Sequence, residues 1–435
     1  MLSISLLFLF LSFQHPVQEI PGTTSIQKWP DGKKGAITLT YDDGSVNQFR
    51  VAMPIMDSLG LPGTFYIVTG GLDGSVNKPQ FIGRPIEEIL AETASVPTNR
   101  ENFFERASAV GYLPYSGTLD YHYQAGTLFE QGKVEEAYRI MDEAYALVRK
   151  GTLPRGEDIS NELAETAENT WDEFRSYAKR GHEFGSHTIT HPRLAVLDKA
   201  NLLYELEKSR EDIQKQLGAE HTFSAEGPFG TEDERVMEYA YEIYPALRNR
   251  MPHDFLEELN RSNRKDPGTS DREYVQWQRG PLRNVPMETM KSWVDQTAQI
   301  GNIWLVLVFH GVDGIGWEPR TGEELKEYFS YIKSKEKELW IATFKDVTKY
   351  IRERMAAKVN YKLEEETLIV TLTHSLEHDL YDYPLTLKTY IPEDWVKPAV
   401  KGGKRTDYPQ VRRDDNGSYI IYQAIPNKGP IYINP

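Results

Sequence analysis

Short apolar runs alternate with amphipathic stretches along most of this chain, and that alternation predicts its architecture. Six runs have strand character: Ala36 to Tyr41, Gly63 to Val68, Glu183 to His187, Thr222 to Ala225, Ile303 to Phe309 and Leu339 to Thr343. Helical spacing between them covers Val46 to Leu59, Asn169 to Lys179, Asp198 to Leu217, Glu288 to Ile300 and Gly322 to Lys333. Strands separated by helices build a parallel sheet with crossover helices, here in barrel-like repetition. Ile303 to Phe309 is apolar at every position, as a strand covered on both faces must be.

Two stretches break this rhythm. From about 70 to 160 the pattern is helical around Asn102 to Val110 and Val134 to Lys150 with no convincing strand, which predicts a helical insert over one face of the barrel. After Met355 apolar and polar residues alternate, with turn signals such as Asp415-Asn416-Gly417, and 357–435 is expected to be a small antiparallel β-sandwich. The barrel is expected to span 21–356.

Composition narrows the chemistry. A net charge of -15 with no basic stripe to offset it argues against nucleic acid and favours neutral or cationic substrates. The absence of cysteine excludes disulfide scaffolds, thiolate zinc sites and cysteine nucleophiles. Leu2 to Phe13 is too short to span a bilayer and resembles the h-region of a secretory signal, although it lacks a basic start; residues 1–20 are expected to direct secretion or periplasmic export. No other stretch could cross a membrane, and oligomeric state is not legible.

Polar residues stand where three strand-like runs end. Asp42-Asp43 follows the first, His187 the third and His310 the run ending at Phe309. In a parallel βα barrel all such ends lie on one face, the face that carries active sites. His187 and His191, four residues apart in a loop before Pro192, can reach one metal ion, and one carboxylate of the aspartate pair completes a three-ligand set with an open position for water. The other carboxylate can take a proton from the attacking water, and His310 can return one to the leaving group. Each element alone is weak, since Asp-Asp-Gly is common in turns; together they point to metal-dependent hydrolysis of an amide or ester. Ser224 to Gly230 leaves a strand through a Gly-Pro turn able to aim a backbone N–H at an oxyanion. Tyr112, Tyr115, Tyr121 and Tyr123 could stack on sugar, but packing within the insert is the expected role.

These residues resemble the polysaccharide deacetylases of carbohydrate esterase family four, the NodB-homology domain. Thr40-Tyr41-Asp42-Asp43-Gly44 is similar to the first family motif, with Tyr for the usual Phe; Ser186 to Pro192 is similar to the second and Val308-Phe309-His310 to the last. Trp340 to Phe344 resembles the final strand, so the resemblance runs from about Ala36 to Arg354 without the insert. It implies an α/β fold, a distorted (β/α) barrel of about seven strands. It further implies Asp42 as general base, His310 as general acid, and Asp43, His187 and His191 as ligands of a divalent metal, zinc foremost. The reaction implied is removal of acetyl from an N- or O-acetylated polysaccharide or oligosaccharide.

Two departures stand out. Glu226 occupies the place of the arginine that opens the third motif and pairs with the base, while Pro228 and the Phe229 N–H remain as substrate contacts. The fourth motif, an Asp and Trp pair, has its nearest counterpart in Trp277 to Pro281, so Trp277 and Arg279 are expected to bind substrate, with Arg279 replacing the lost arginine. The alternatives are an amidohydrolase acting on a small non-sugar amide and a non-catalytic carbohydrate-binding relative.

Overall fold

The computed structural model describes residues 20–251 and 256–435, so nearly all of the expected signal segment lies outside the described residues. The chain forms two compact units, one of residues 33–348 and one in which the residues before 33 join 349–435. The expected barrel limits at 21 and 356 therefore move inward. The reason is strand β1 (Thr24–Ile26), which pairs antiparallel with Leu387–Thr389 of the C-terminal unit.

The larger unit is built on β2 (Gly35–Tyr41), β3 (Thr64–Ile67), β4 (Glu183–Ser186), β5 (Ser224–Ala225), β6 (Ala246–Leu247), β7 (Glu257–Leu259), β8 (Val275–Arg279), β9 (Ile303–Phe309) and β10 (Leu339–Ile341). They run in the order β6-β5-β4-β3-β2-β9-β8-β7, with β10 beside β2, and every pair is parallel. Of these, β6, β7 and β8 were not foreseen; the first two are only two and three residues long. One edge of β2 follows β9 from Ala36 to Tyr41, while its other edge is shared between β10 at Gly35–Ile37 and β3 at Thr40–Tyr41. That shared edge distorts the barrel, and no ladder among the described residues joins β6 to β7 to close it.

Alternation along the strands sorts the side chains into two layers. Ile37, Leu39, Tyr41, Leu305, Leu307 and Phe309 face outward into a core with Met53 and Met56 of the first helix and Tyr328, Phe329 and Ile332 of the helix Gly322–Ser334. Each such side chain contributes roughly 1.5–3 kcal/mol through burial. The intervening residues face inward and are largely polar: the Trp304 indole N–H donates to Thr38 Oγ1 (2.9 Å), and Ser224 Oγ donates to Glu183 (2.9 Å). Gly185 is required there, because a Cβ would stand 2.9 Å from the Ser224 carbonyl oxygen.

The stretch read as an insert holds the helices Ile86–Glu92, Phe103–Val110, Thr118–Glu130 and Val134–Arg149 around Phe103, Met141, Ala144 and Tyr145. Beyond it, Lys199–Leu217 is helical with a wider, π-type turn at Tyr204–Lys208. In the C-terminal unit two antiparallel sheets form, one of five strands and one of four that includes β1. Residues Thr367–Thr373 and Gly417–Ala424 alternate between buried and less buried positions, as strands covered on one face do.

Candidate metal centre

Asp43, His187 and His191 converge at the C-terminal ends of β2 and β4, with one ligand atom from each inside a 4.8 Å set. Nε2 of each histidine stands 3.4 Å from Asp43 Oδ1. Asp43 (φ 75°), Thr188 (φ 71°) and His191 (φ 62°) all lie in the left-handed region, which non-glycine residues enter at a cost. Their surroundings hold them there. Thr166 Oγ1 donates to the Asp43 carbonyl (2.6 Å) and Asn169 to the Gly44 carbonyl (2.9 Å). Glu205, from the π-type turn, accepts the Ile189 and Thr190 N–H groups and the Thr190 hydroxyl.

Asp42 does not point at this cluster's ligand atoms; it is held by Arg248. The guanidinium at the end of β6 bonds both Asp42 oxygens, with 2.7 Å to Oδ2, and reaches Glu226 Oε1 at 2.8 Å. Arg248 is the residue that sequence reasoning missed, and Arg279 does not replace it. Side chains alternate along β8, so Gln276 and Gln278 face inward, both donating to the Arg248 carbonyl (3.0 and 2.9 Å), while Trp277 and Arg279 face the other way. Arg279 instead donates to the Gln278 and Asn263 carbonyls, and Trp277 is buried in the outer core. Trp277 thus packs where it was expected to bind substrate. An inward-facing arginine after a two-residue strand left only Ala246-Leu247-Arg248 as a signal.

Glu226 sits within this network. His187 Nδ1 lies 2.9 Å from the Glu226 backbone carbonyl, its hydrogen-bond partner, and 2.9 Å from Glu226 Oε2, so Glu226 braces this imidazole with both its backbone and its charge while neutralising Arg248. Burial pushes the Glu226 carboxyl up, but Arg248 and His187 outweigh it and hold it at about 2. Arg248 bridges Glu226 and Asp42, so the Glu226 charge does not face Asp42 uncompensated. Burial and the Glu226 charge push neighbouring Glu232 up to about 7, and Asn249 donates to both carboxyls.

His310, after β9, places Nε2 3.4 Å from Asp42 Oδ2. Gln48 donates to the carbonyls of both Asp42 and His310, fixing the two strand ends together. Burial lowers the His310 pKa, against the pull of Asp42 and Asp43. Its Nδ1 has no hydrogen-bond partner among the described residues, in keeping with the missing fourth motif. Trp317 meets the His310 ring edge to face at 4.7 Å, and Phe229 meets the His191 ring at 4.7 Å. Both aromatics are about half exposed, at 52% and 44%, and mark the rim. Pro228 is buried beneath Phe229, and of the four insert tyrosines Tyr123 reaches the rim, with its ring 5.3 Å from Phe229.

The donor set suits a divalent cation. Asp42, Asp43 and Glu226 are buried carboxylates, and Arg248 pairs with Asp42 and Glu226 while Asp43 meets only the two imidazoles, so with those imidazoles neutral this group carries two negative charges in excess. At His187 burial opposes charge, yet Glu226 and Asp43 raise its pKa well above the ordinary value. Burial likewise would raise Asp43, but hydrogen bonds from His187 and His191 hold it well below the carboxylate range. Two imidazoles and one carboxylate, with one imidazole backed by a carboxylate, match a catalytic divalent site.

The sheet and this cluster define the class: a (β/α) barrel with a two-histidine, one-aspartate centre at its strand ends. Residues 159–243 match the family model described as polysaccharide deacetylase, which bears out the resemblance over that stretch. A gellan lyase from Bacillus sp is 27% identical over 287 residues, which is 61% of this chain but 11% of that protein. The chain therefore spans about a tenth of the length of the curated relative it matches. Among solved structures, a family 4 carbohydrate esterase from Streptomyces lividans in complex with acetate is 11% identical, with a TM-score of 0.33, over 71% of this chain and 92% of that one. The peptidoglycan deacetylase PdaC from Bacillus subtilis is 11% identical, with a TM-score of 0.31, over 74% and 93%. No helix among the described residues is long and apolar enough to cross a membrane.

Proposed function

We propose that this chain is a metal-dependent deacetylase that removes acetyl groups from an acetylated polysaccharide or oligosaccharide. The observation that carries the reading is the meeting of Asp42, fixed by Arg248, with the Asp43, His187 and His191 cluster and His310 at one end of the sheet. Asp43, His187 and His191 would hold the cation, and zinc suits that donor set. A bound divalent ion supplies Lewis acidity, polarising the acetyl carbonyl and acidifying water.

The protein's own groups do the rest. Asp42 accepts the proton of the attacking water, and its two-point bond to Arg248 keeps the carboxylate aimed. His310, within reach of Asp42, delivers a proton to the departing sugar nitrogen or oxygen. The Phe229 N–H, presented by a left-handed residue (φ 62°) after Pro228, serves the developing oxyanion. Phe229 and Trp317 flank the opening, where apolar faces can lie against a sugar ring. A polymeric substrate fits a secreted or periplasmic enzyme.

Acetate release from acetylated chitooligosaccharides, xylans and peptidoglycan fragments, with and without a chelator, tests the reading. Loss of release on chelation and in Asp42→Asn supports it. Release that survives both removes it.

A further inference from the structure

Three arginines gather at the catalytic end of the barrel, none of them in an ion pair with a carboxylate among the described residues. The pairing of Leu259 with Trp277 sets β7 and β8 level, and Gln278 donates to Asn260 Oδ1 (3.1 Å) one residue on. Arg261 and Arg279 follow at the same height. Arg261 Cδ lies 3.6 Å from the position a Cβ on Gly280 would take. Its charge is felt at His310 and Glu226, which ties it to the metal centre.

Arg279 is held ready. Its guanidinium lies over the Trp277 ring at 4.6 Å and donates to the Gln278 carbonyl at 2.8 Å and the Asn263 carbonyl at 3.4 Å. Burial and the nearby charge of Arg264 push its pKa down to about 10. No carboxylate pairs with Arg261, Arg264 or Arg279 among the described residues, in a chain with 65 acidic residues against 50 basic ones. Crowded like charges cost stability unless a ligand repays them. A planar fork with free N–H groups recognises carboxylate best.

We propose that Arg261, Arg264 and Arg279 form a subsite for a carboxylate of the substrate, so that the glycan taken is acidic, with a uronic-acid residue near the acetylated sugar. This rests on the deacetylase reading of the adjoining centre, and it reverses the preference for neutral or cationic substrates drawn from net charge alone. Overall charge is a poor guide here because the negative residues are spread over the chain, whereas Arg261 and Arg279 stand at the ends of neighbouring strands with Arg264 close enough to act on Arg279.

Calorimetric titration with unacetylated xylo-oligosaccharides, with and without a glucuronic-acid branch, reads the subsite without turnover. The branched sugar is expected to bind at least about ten-fold tighter, the worth of one charge-assisted hydrogen-bonded pair. The preference should shrink in high salt and vanish in Arg264→Gln/Arg279→Gln, with Arg279→Lys keeping part of it. Equal affinity for the two sugars, including binding of neither, overturns the proposal, as does a preference that survives in the folded double variant. Acetate release from the acetylated forms is measured in parallel. Its absence alongside an intact binding preference would remove the deacetylase reading and leave the subsite standing.

Discussion

Arg248 and Asp42 form a two-point ion pair from which water is excluded: Nη2 stands 2.7 Å from Oδ2, and the side chains are 0% and 2% exposed. Removing one partner of such a pair strands a buried charge. Arg248→Met is therefore expected to cost about 3–5 kcal/mol, read as a lower denaturation midpoint. Asp42→Asn/Arg248→Met should recover part of that stability while remaining inactive. Equal stability of the single and double variants would contradict the pairing.

Glu226 braces His187 through Nδ1, and its loss should be felt by the cation before it is felt by the fold. Glu226→Gln keeps an oxygen acceptor but removes the charge, and metal affinity is expected to fall about 10- to 100-fold in a competition titration. Its melting temperature should fall less than that of Glu226→Ala, which keeps the backbone carbonyl on His187 but leaves Arg248 with Asp42 alone.

Metal binding should also appear in stability alone. A cation that binds the folded chain at a hundred times its dissociation constant adds about 2.7 kcal/mol, and a chelator should remove it. His187→Ala and His191→Ala are expected to show no such shift on adding zinc. A shift retained in both variants would place the cation elsewhere.

His122, in the insert, gives a pH dependence that is separate from the metal centre. Burial pushes it down to about 4, against the pull of the Ala107 carbonyl, so the folded state keeps the ring neutral. The unfolded chain binds its proton near pH 6.5, and from there downward it holds more protons than the folded one. The stability this neutral ring represents is thus present above about pH 6.5 and is lost as pH falls towards 4, by about 3 kcal/mol. Denaturation midpoints between pH 7 and pH 4 should fall less steeply in His122→Asn than in the wild type.

Trp277 separates a packing role from a binding role. Trp277→Ala is expected to cost about 3–5 kcal/mol, as large aromatic deletions in cores do. Trp277→Phe should leave KM for a neutral acetylated oligosaccharide where it was. A raised KM at unchanged stability would return Trp277 to the substrate site.

Asp42, Asp43, His187 and His310 were legible because each stands at the end of a run whose pattern announces a strand, and His191 because it follows His187 at a spacing that lets both rings reach one metal ion. Ala36 to Tyr41 and Ile303 to Phe309 are long enough to be recognised unaided, and the polar residue after each had to face the open end of the barrel. Arg248 was not legible because β6 is two residues long, too short for any periodicity. Arg279 misled for a different reason. Its strand went unrecognised, and without the strand its alternation could not show that Gln278, one residue earlier, was the one facing inward. Trp317 was hidden in a glycine-rich loop, Gly311 to Gly316, whose course depends on contacts distant in sequence.

The left-handed backbone at Asp43, Thr188 and His191 bears on laboratory evolution. Glycine or asparagine at any of these positions would relieve the torsional cost, so where no cation is bound, selection for heat resistance alone would favour them. At Asp43 and His191 that same change deletes a ligand. A thermostability screen run in a chelator would then enrich for folded, heat-resistant and metal-free variants, whereas one run with the cation present would retain the ligands through the stability that binding adds.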